Sequence, residues 1–335
     1  MEEVLKSIND DAIRTTIGDD YELLICKTCG TQYPIKSPNE LEPKNVCQPC
    51  LDPRQYVPES GQQWSKASDW LLPSSQLRCE LVPEKNDARL FRIIAKNTNV
   101  GIGETPFVIL TKDGIVLWDC CALYTVDMFE SIKQLSKDNQ LPIVGIAISH
   151  PHFYTSSLTW AKALQTKIFI SHLDKEWFQR AHEGLAKELV VFFDSETYQL
   201  LPGITIVRCG GHFDGSCVLH WDRQKAGTPA KILQSASQDQ LPSTGAVFCS
   251  DTFGPGMDRK TITFMWSYPN MIPLPPKDVL RIWHSMQPFQ FDEIIGAWPG
   301  KYVQGDARAH LLKSAKLFVK MEGYDTSEFD WKEKD

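Results

Sequence analysis

The sequence contains no run of about 18 uninterrupted apolar residues, so no membrane-spanning helix can be read in it. Its first twenty residues, "MEEVLKSINDDAIRTTIGDD", are acidic and lack the apolar stretch of a secretory signal. No membrane partner is expected, and a cytoplasmic or nucleocytoplasmic address follows. Blocks of Lys and Arg are missing as well: 35 basic residues stand against 42 acidic ones, for a formal charge of −7. Without a basic cluster to neutralise phosphates, a general affinity for nucleic acid is not expected. Internal repeats are absent too. The glycine pair Gly101-Ile102-Gly103 lacks the following helix of a dinucleotide fingerprint and reads as a hairpin turn. What remains is a 335-residue chain with 42% hydrophobic residues, enough for one large domain with its own core and a small appendage.

Ten cysteines are present, and with no export signal they read as metal ligands and buried thiols rather than disulfides. Four of them form two pairs, Cys26-x2-Cys29 and Cys47-x2-Cys50, separated by 17 residues. Two such knuckles bring four thiolates to one ion in the closed tetrahedral shell of structural zinc. Residues 21–60, which carry them, are rich in Pro, Cys and polar residues and have too little apolar periodicity to hold together by burial alone. The segment therefore reads as a zinc-ribbon-like module whose role is structural or interaction-mediating. Its local charges, Lys27, Lys36, Lys44 and Arg54 against Glu22, Glu40, Glu42 and Asp52, are too balanced for a nucleic-acid surface. The other six cysteines, Cys79, Cys120, Cys121, Cys209, Cys217 and Cys249, lie outside the pairs.

Residues 1–20 place Val4, Leu5, Ile8, Ile13 and Ile17 at spacings that suit a short amphipathic helix. A linker over 61–76 follows the cysteine module. From residue 77 onward short β-rich runs dominate, bounded by Gly, Pro and Asp: "LRCELV", "LFRIIA", "PFVILT", "GIVLWD", "PIVGIAIS", "KIFIS", "ITIVRC", "SCVLHW", "AKILQ" and "AVFCSD". Helical periodicity appears over 123–137, 157–165, 172–187, 277–286 and 305–321. This order predicts a mixed α/β fold with sheets covered by helices. Residues 323–335 read as an acidic tail.

The stretch "ISHPHFYTS" closes an apolar run with two histidines. In a strand, positions i and i+2 point the same way, so His150 and His152 can grip one ion at its C-terminal end. Two hydrogen-bonded loop histidines are the alternative for such a pair taken alone. Downstream, "IVRCGGHFDGSCVLHW" places His212 in a glycine-rich turn between two strands, and "AVFCSDT" presents Asp251 at a strand tip.

Together with "VLWDCC" at 116–121, these motifs in this order resemble the metallo-β-lactamase superfamily over roughly residues 77–322. The resemblance implies a four-layer αββα sandwich of two mixed sheets, preceded here by the small four-cysteine segment. It also implies that His150, His152 and His212 match the metal-binding histidines and Asp251 the carboxylate that bridges two metals. Tyr154 and Thr155 occupy the Asp-His half of the family's HxHxDH motif, and Trp298 lies near where a final histidine belongs. His284 and His310, the histidines after Asp251, fall in predicted helices. One pocket zinc is therefore expected beside the structural one, not two. Asp119 resembles the buried strand-end aspartate of the family's "DTG", with Cys120-Cys121 in place of Thr-Gly.

By this resemblance a zinc held by the three histidines activates water for ester, thioester, amide or phosphoester hydrolysis. Asp251 orients or deprotonates the water, and Tyr154 donates to developing charge with Thr155 or Ser156 assisting. The alternative is a non-catalytic protein of the same fold that binds zinc and a partner. Neither substrate, protein partner nor oligomeric state is readable. His172 follows "KIFIS", where Ser171 and Asp174 suggest a helix capping box that makes it a surface histidine; a lean toward the metal pocket is the other reading. His220 reads as a packed strand residue.

Overall fold

The computed structural model describes residues 12–72 and 75–332. Val4, Leu5 and Ile8 of the expected N-terminal helix lie outside them, while residues 12–17 are helical and bury Ile13 and Ile17.

Seven strands form the first sheet, in chain order: β1 (Arg78–Pro83), β2 (Leu90–Lys96), β3 (Phe107–Thr111), β4 (Gly114–Trp118), β5 (Ile143–Ala147), β6 (Lys167–Ser171) and β7 (Val190–Phe193). The first four pair antiparallel through β-rich hairpin connections. From β4 to β7 the pairing is parallel, which requires crossovers. Helices α1 (Val126–Asn139) and α2 (Ser157–Leu164) make two of these crossovers. Thr125 caps α1 by accepting the Met128 N–H at 3.3 Å, and the helix turns Met128, Phe129 and Ile132 inward.

The second sheet runs β8 (Thr197–Leu201), β9 (Ile204–Arg208), β10 (Cys217–Trp221), β11 (Ala246–Phe248), β12 (Glu293–Ile295) and β13 (Tyr302–Gln304). Only β11 and β12 pair parallel. Helices α3 (Pro276–Met286) and α4 (Ala307–Met321) cover its outer face, burying Val279, Ile282, Leu311 and Val319 with Val207, Val218 and Val247.

Alternation along the strands divides the core into layers. Phe107, Val116, Trp118 and Phe169 point from the first sheet to meet Ile206, Leu219, Trp221 and Phe248 of the second. The opposite residues of the first sheet, Val108, Leu110, Ile115 and Leu117, pack with Phe129, Ile132 and Leu158 of the helices. The architecture is the expected four-layer αββα sandwich of two mixed sheets. No described helix is long and apolar enough to cross a membrane.

Some elements differ from expectation. "AKILQ" is not a strand but the helix Ala230–Ser235, entered from Pro229; its Ala, Lys, Leu and Gln are good helix formers and only Ile232 is buried. The 172–187 region is a 3-10 turn, His172–Trp177, followed by the short helix Gly184–Leu189. Ser171 makes no cap bond there, and the Asp174 carboxylate accepts the Gly215 N–H at 2.9 Å instead of closing a capping box. His172 is exposed. His220 lies in β10, with Nε2 2.9 Å from the Gln290 carbonyl.

The cysteine segment is closed by residues read as linker. Ile25–Cys26 pairs antiparallel with Trp64–Ser65. It docks on the sandwich through a buried polar knot: Arg180 donates to Asp20 at 3.1 Å, to Gln32 Oε1 at 2.6 Å and to Thr159 at 3.0 Å. Burial disfavours the Asp20 carboxylate, but Arg180, Thr159 and Lys162 outweigh it and hold the group below its usual range. Gly30, at φ +77°, lies so close to the sandwich that a Cβ would sit 2.6 Å from that of Ala122. At the other end, Phe329 and Trp331 pack against the outer core, so the tail is bound to the domain through residue 332.

Candidate metal centres

Among the described residues, two groups of ligand-type side chains converge, both fully buried: Cys26, Cys29, Cys47 and Cys50, and His150, His152, His212 and Asp251. These are the eight residues picked out by spacing and motif.

In the first group Cys47 precedes the helical turn Gln48–Leu51, whose Pro49 suits the first turn, and so presents Cys50 toward Cys26. The sulfurs of Cys26 and Cys50, and of Cys29 and Cys47, are 3.5 Å apart. Tetrahedral thiolates at zinc's usual ~2.3 Å bond length stand about 3.8 Å from one another, and all four sulfurs lie within 4.8 Å of one another, close to that spread. Their mutual hydrogen bonds push the Cys26 thiol down and hold Cys50 up. Tyr33 Oη donates to Cys47 at 3.4 Å and Gln62 Nε2 to Cys26 at 3.0 Å, the outer hydrogen bonds expected around bound thiolates.

The second group gathers at the ends of strands from both sheets. His150 lies past the end of β5 and caps a 3-10 turn, Pro151–Phe153, that carries His152. The two histidines therefore converge through a tight turn rather than through strand alternation. His212 lies in the β9–β10 loop. There Gly211, at φ +88°, allows the chain to pass Leu274 and Ile282 at a separation where a Cβ would be 2.9 and 3.2 Å from their methyls. Asp251 follows β11 by way of Ser250, which is itself at φ +46°.

Two of the imidazoles are oriented by protein partners outside the group. His212 Nδ1 donates to the Met265 carbonyl at 3.1 Å, which leaves Nε2 as a bare lone pair. His150 Nδ1 shares a 2.8 Å hydrogen bond with Ser149 Oγ, freeing Nε2. His212 Nε2 is 3.2 Å from His152 Nδ1, and Asp251 Oδ2 is 3.3, 4.0 and 3.9 Å from His150 Nε2, His152 Nδ1 and His212 Nε2. Ligand atoms around a tetrahedral zinc with bonds of about 2.0–2.1 Å stand roughly 3.3–3.4 Å apart.

Buried His150 Nε2 faces Asp251 Oδ2 at 3.3 Å and has no hydrogen-bond partner, a costly arrangement that a cation between them relieves. Burial, and then the neighbouring His150 and His152, drive the His212 pKa well below its ordinary value. Burial likewise lowers His152 to about 4, against the opposing pull of Asp251. Burial works against the Asp251 carboxylate too, but the close imidazoles of His150 and His152 hold it below the usual carboxylate range. The neutral imidazoles of His152 and His212 and the ionised Asp251 carboxylate are the protonation states in which these groups ligate. The donor set fits zinc.

Asp119, at φ +63° just past β4, ties the two ligand loops together. Its Oδ1 accepts the Ser149 N–H at 2.7 Å, and its Oδ2 accepts the Ser250 hydroxyl. Trp118 Nε1 also donates to Ser250 Oγ at 3.2 Å. Burial pushes the Asp119 carboxyl up to about 7.

No protein-family model matches the sequence. A curated relative does: the uncharacterized protein YmaE of Bacillus subtilis (strain 168) is 32% identical over 296 residues, 88% of this chain and 95% of that one. The chain belongs to the YmaE family. Among solved structures, the DIM-1 metallo-β-lactamase matches at 13% identity over 74% of this chain and 98% of its own, with a TM-score of 0.48. The FIM-1 metallo-β-lactamase from Pseudomonas aeruginosa, in its mono-zinc form, matches at 15% identity over 73% of this chain and 97% of its own, with a TM-score of 0.44.

Tyr154 and Thr155 lie outside the ligand group. The Tyr154 hydroxyl donates to the Asp174 carbonyl at 3.4 Å and its ring packs edge-on against Phe178. Thr155, at φ +31°, presents its carbonyl to the Gln32 N–H of the cysteine module. The Trp298 ring lies 6.2 Å from that of Phe153, which packs 4.9 Å from His150. Two residues that shape the centre had no sequence signal. Phe213 contacts all three imidazoles, with ring centroids 4.9–5.8 Å away, and Arg54 of the cysteine module lies 4.0 Å over the Phe213 ring.

Proposed function

We propose that the protein is a metal-dependent, hydrolase-like protein with one zinc in the histidine centre and a structural zinc in the cysteine centre. Its substrate is a small molecule with an ester, thioester, amide or phosphoester bond. The observation that carries this reading is the convergence of three imidazoles and one ionised carboxylate, with buried His150 Nε2 left without a hydrogen-bond partner.

When bound, zinc supplies a Lewis acid that lowers the pKa of a coordinated water and polarises a carbonyl or phosphoryl oxygen. His150, His152 and His212 hold it. Asp251, kept ionised, is suited to accept a hydrogen bond from water and orient it; so acidic a group is a weak proton acceptor. For Tyr154 to donate to developing charge, its bond to the Asp174 carbonyl must first open. A specific observation favours a second reading, non-catalytic metal binding: the four side chains are no more than 5% exposed, and Asp251 Oδ2 is near enough to all three histidines to complete a closed shell.

Metal analysis tests the site and turnover separates the readings. Two zinc ions per chain are expected, one lost in Cys26→Ser/Cys29→Ser and the other in His150→Ala/His152→Ala. An unchanged content in the histidine variant overturns the pocket site. Hydrolysis of a panel of esters, thioesters and phosphodiesters that vanishes in His150→Ala supports the enzyme; zinc binding with no turnover on the panel supports the closed-shell reading.

A further inference from the structure

The cysteine module does more than sit beside the sandwich. Four residues beyond Cys50, Arg54 lays its guanidinium 4.0 Å over Phe213, 5.0 Å over Trp266 and 5.9 Å over Trp177. Its Nη1 donates to Asp52 at 3.1 Å, which keeps the charged group paired at the edge of this aromatic cluster. The backbone on either side is tied down. Asn270 Nδ2 donates to the Pro53 carbonyl at 2.8 Å and the Gln55 carbonyl at 3.1 Å, and Ser267 Oγ donates to the Arg54 carbonyl at 3.0 Å.

The elements that receive this strap also build the histidine centre. Phe213 adjoins His212 and packs against all three imidazoles. The short strand Met265–Ser267 carries Trp266 and Ser267, which hold Arg54, and its Met265 carbonyl is the group that orients His212. A continuous set of contacts thus runs from Cys50 through residues 52–55 to Phe213 and Met265–Ser267, and from there to His212.

We propose that residues 52–55 form a latch over the histidine centre, and that the cysteine centre, by placing Cys50, holds that latch shut. Arg54 acts as a positioning residue: it pins the Phe213 ring against the imidazoles and never touches the ion. Ion exchange at the histidine centre then requires the strap to lift, and occupancy of one metal centre is linked to retention at the other. This inference rests on the histidine centre's binding a metal, as proposed above.

The test uses the full chain with zinc in the cysteine centre and cobalt(II) in the histidine centre. The cobalt is followed by its visible ligand-field absorption after addition of excess EDTA. Arg54→Ala and Asn270→Ala, the second at an exposed position, are expected to release cobalt at least tenfold faster than the parent while starting from the parent spectrum. Leu51→Ala, also exposed on the module, is expected to keep the parent rate. Equal rates in the parent and both strap variants, or an equal rise in Leu51→Ala, overturn the latch while leaving the metal site standing. If the parent takes up no cobalt at the histidine centre, the functional reading itself falls, and the latch with it.

Discussion

Replacing Asp119 by alanine removes a carboxylate that touches no ligand yet tethers two ligand loops. One oxygen holds the backbone N–H of Ser149, next to His150, and the other holds the hydroxyl of Ser250, next to Asp251. Fixing one residue's backbone costs roughly 1–2 kcal/mol. Loosening two tethered residues by about 1 kcal/mol each puts the cost of re-ordering them on metal binding at about 2 kcal/mol, or about 30-fold in affinity. That agrees with the roughly 10–100-fold effects of removing outer hydrogen-bond partners in other metal sites. Global stability is the poorer readout, because alanine also removes a carboxyl whose burial is unfavourable enough to push it up to about 7. The assay is therefore competition for zinc against a chelator, with the cysteine centre of the same chain as the internal reference. Asp119→Ala should weaken the histidine centre alone by about 30-fold, and Asp119→Asn, which retains an acceptor for Ser149, by less. An affinity within threefold of the parent in Asp119→Ala refutes the tether.

Burial pushes Glu104, which accepts the Ile102 and Ala122 N–H groups, up to about 7 from an ordinary 4.5. The folded chain then holds a proton that the unfolded chain has released, so stability should fall as pH rises from 4.5 to 7, by up to about 3 kcal/mol for this group. Denaturant titrations across that window should show the slope flattened in Glu104→Gln; an unchanged slope excludes Glu104 as its source. Arg180→Ala leaves Asp20 buried with only Lys162, among the described residues, as a cationic partner and should cost about 3–5 kcal/mol. Tryptic cleavage within 21–60 should accelerate in the same variant, and cleavage at the parent rate would show that the polar knot does not anchor the module.

Both candidate metal centres were legible because ligand chemistry is local. A CxxC pair or an HxH needs residues a fixed few positions apart, Asp251 follows closely on an apolar strand, and His212 lies in a glycine-rich turn between two strands. The strands β1–β6 and β9–β11 were legible for a similar reason, as short β-rich runs bounded by Gly, Pro and Asp. Three strands of the second sheet were not: β8 alternates polar and half-buried residues, and β12 and β13 have three residues each, too few to show a period. "AKILQ" has the apolar content of a strand but lies on the surface, where helix propensity decides. Arg54 and Phe213 were invisible for a different reason. Their roles depend on the meeting of segments about 160 residues apart, and neither residue type is a ligand.

The seam between the two sheets gives the histidine centre a mechanical meaning. His150 and His152 hang from the first sheet, His212 and Asp251 from the second, and Asp119 reaches across from one to the other. An ion seated among them fastens the halves of the sandwich at their rim like a rivet. Parting the sheets and losing the metal then become a single event, and the protein's resistance to being pulled open is set by the same four side chains that would do its chemistry.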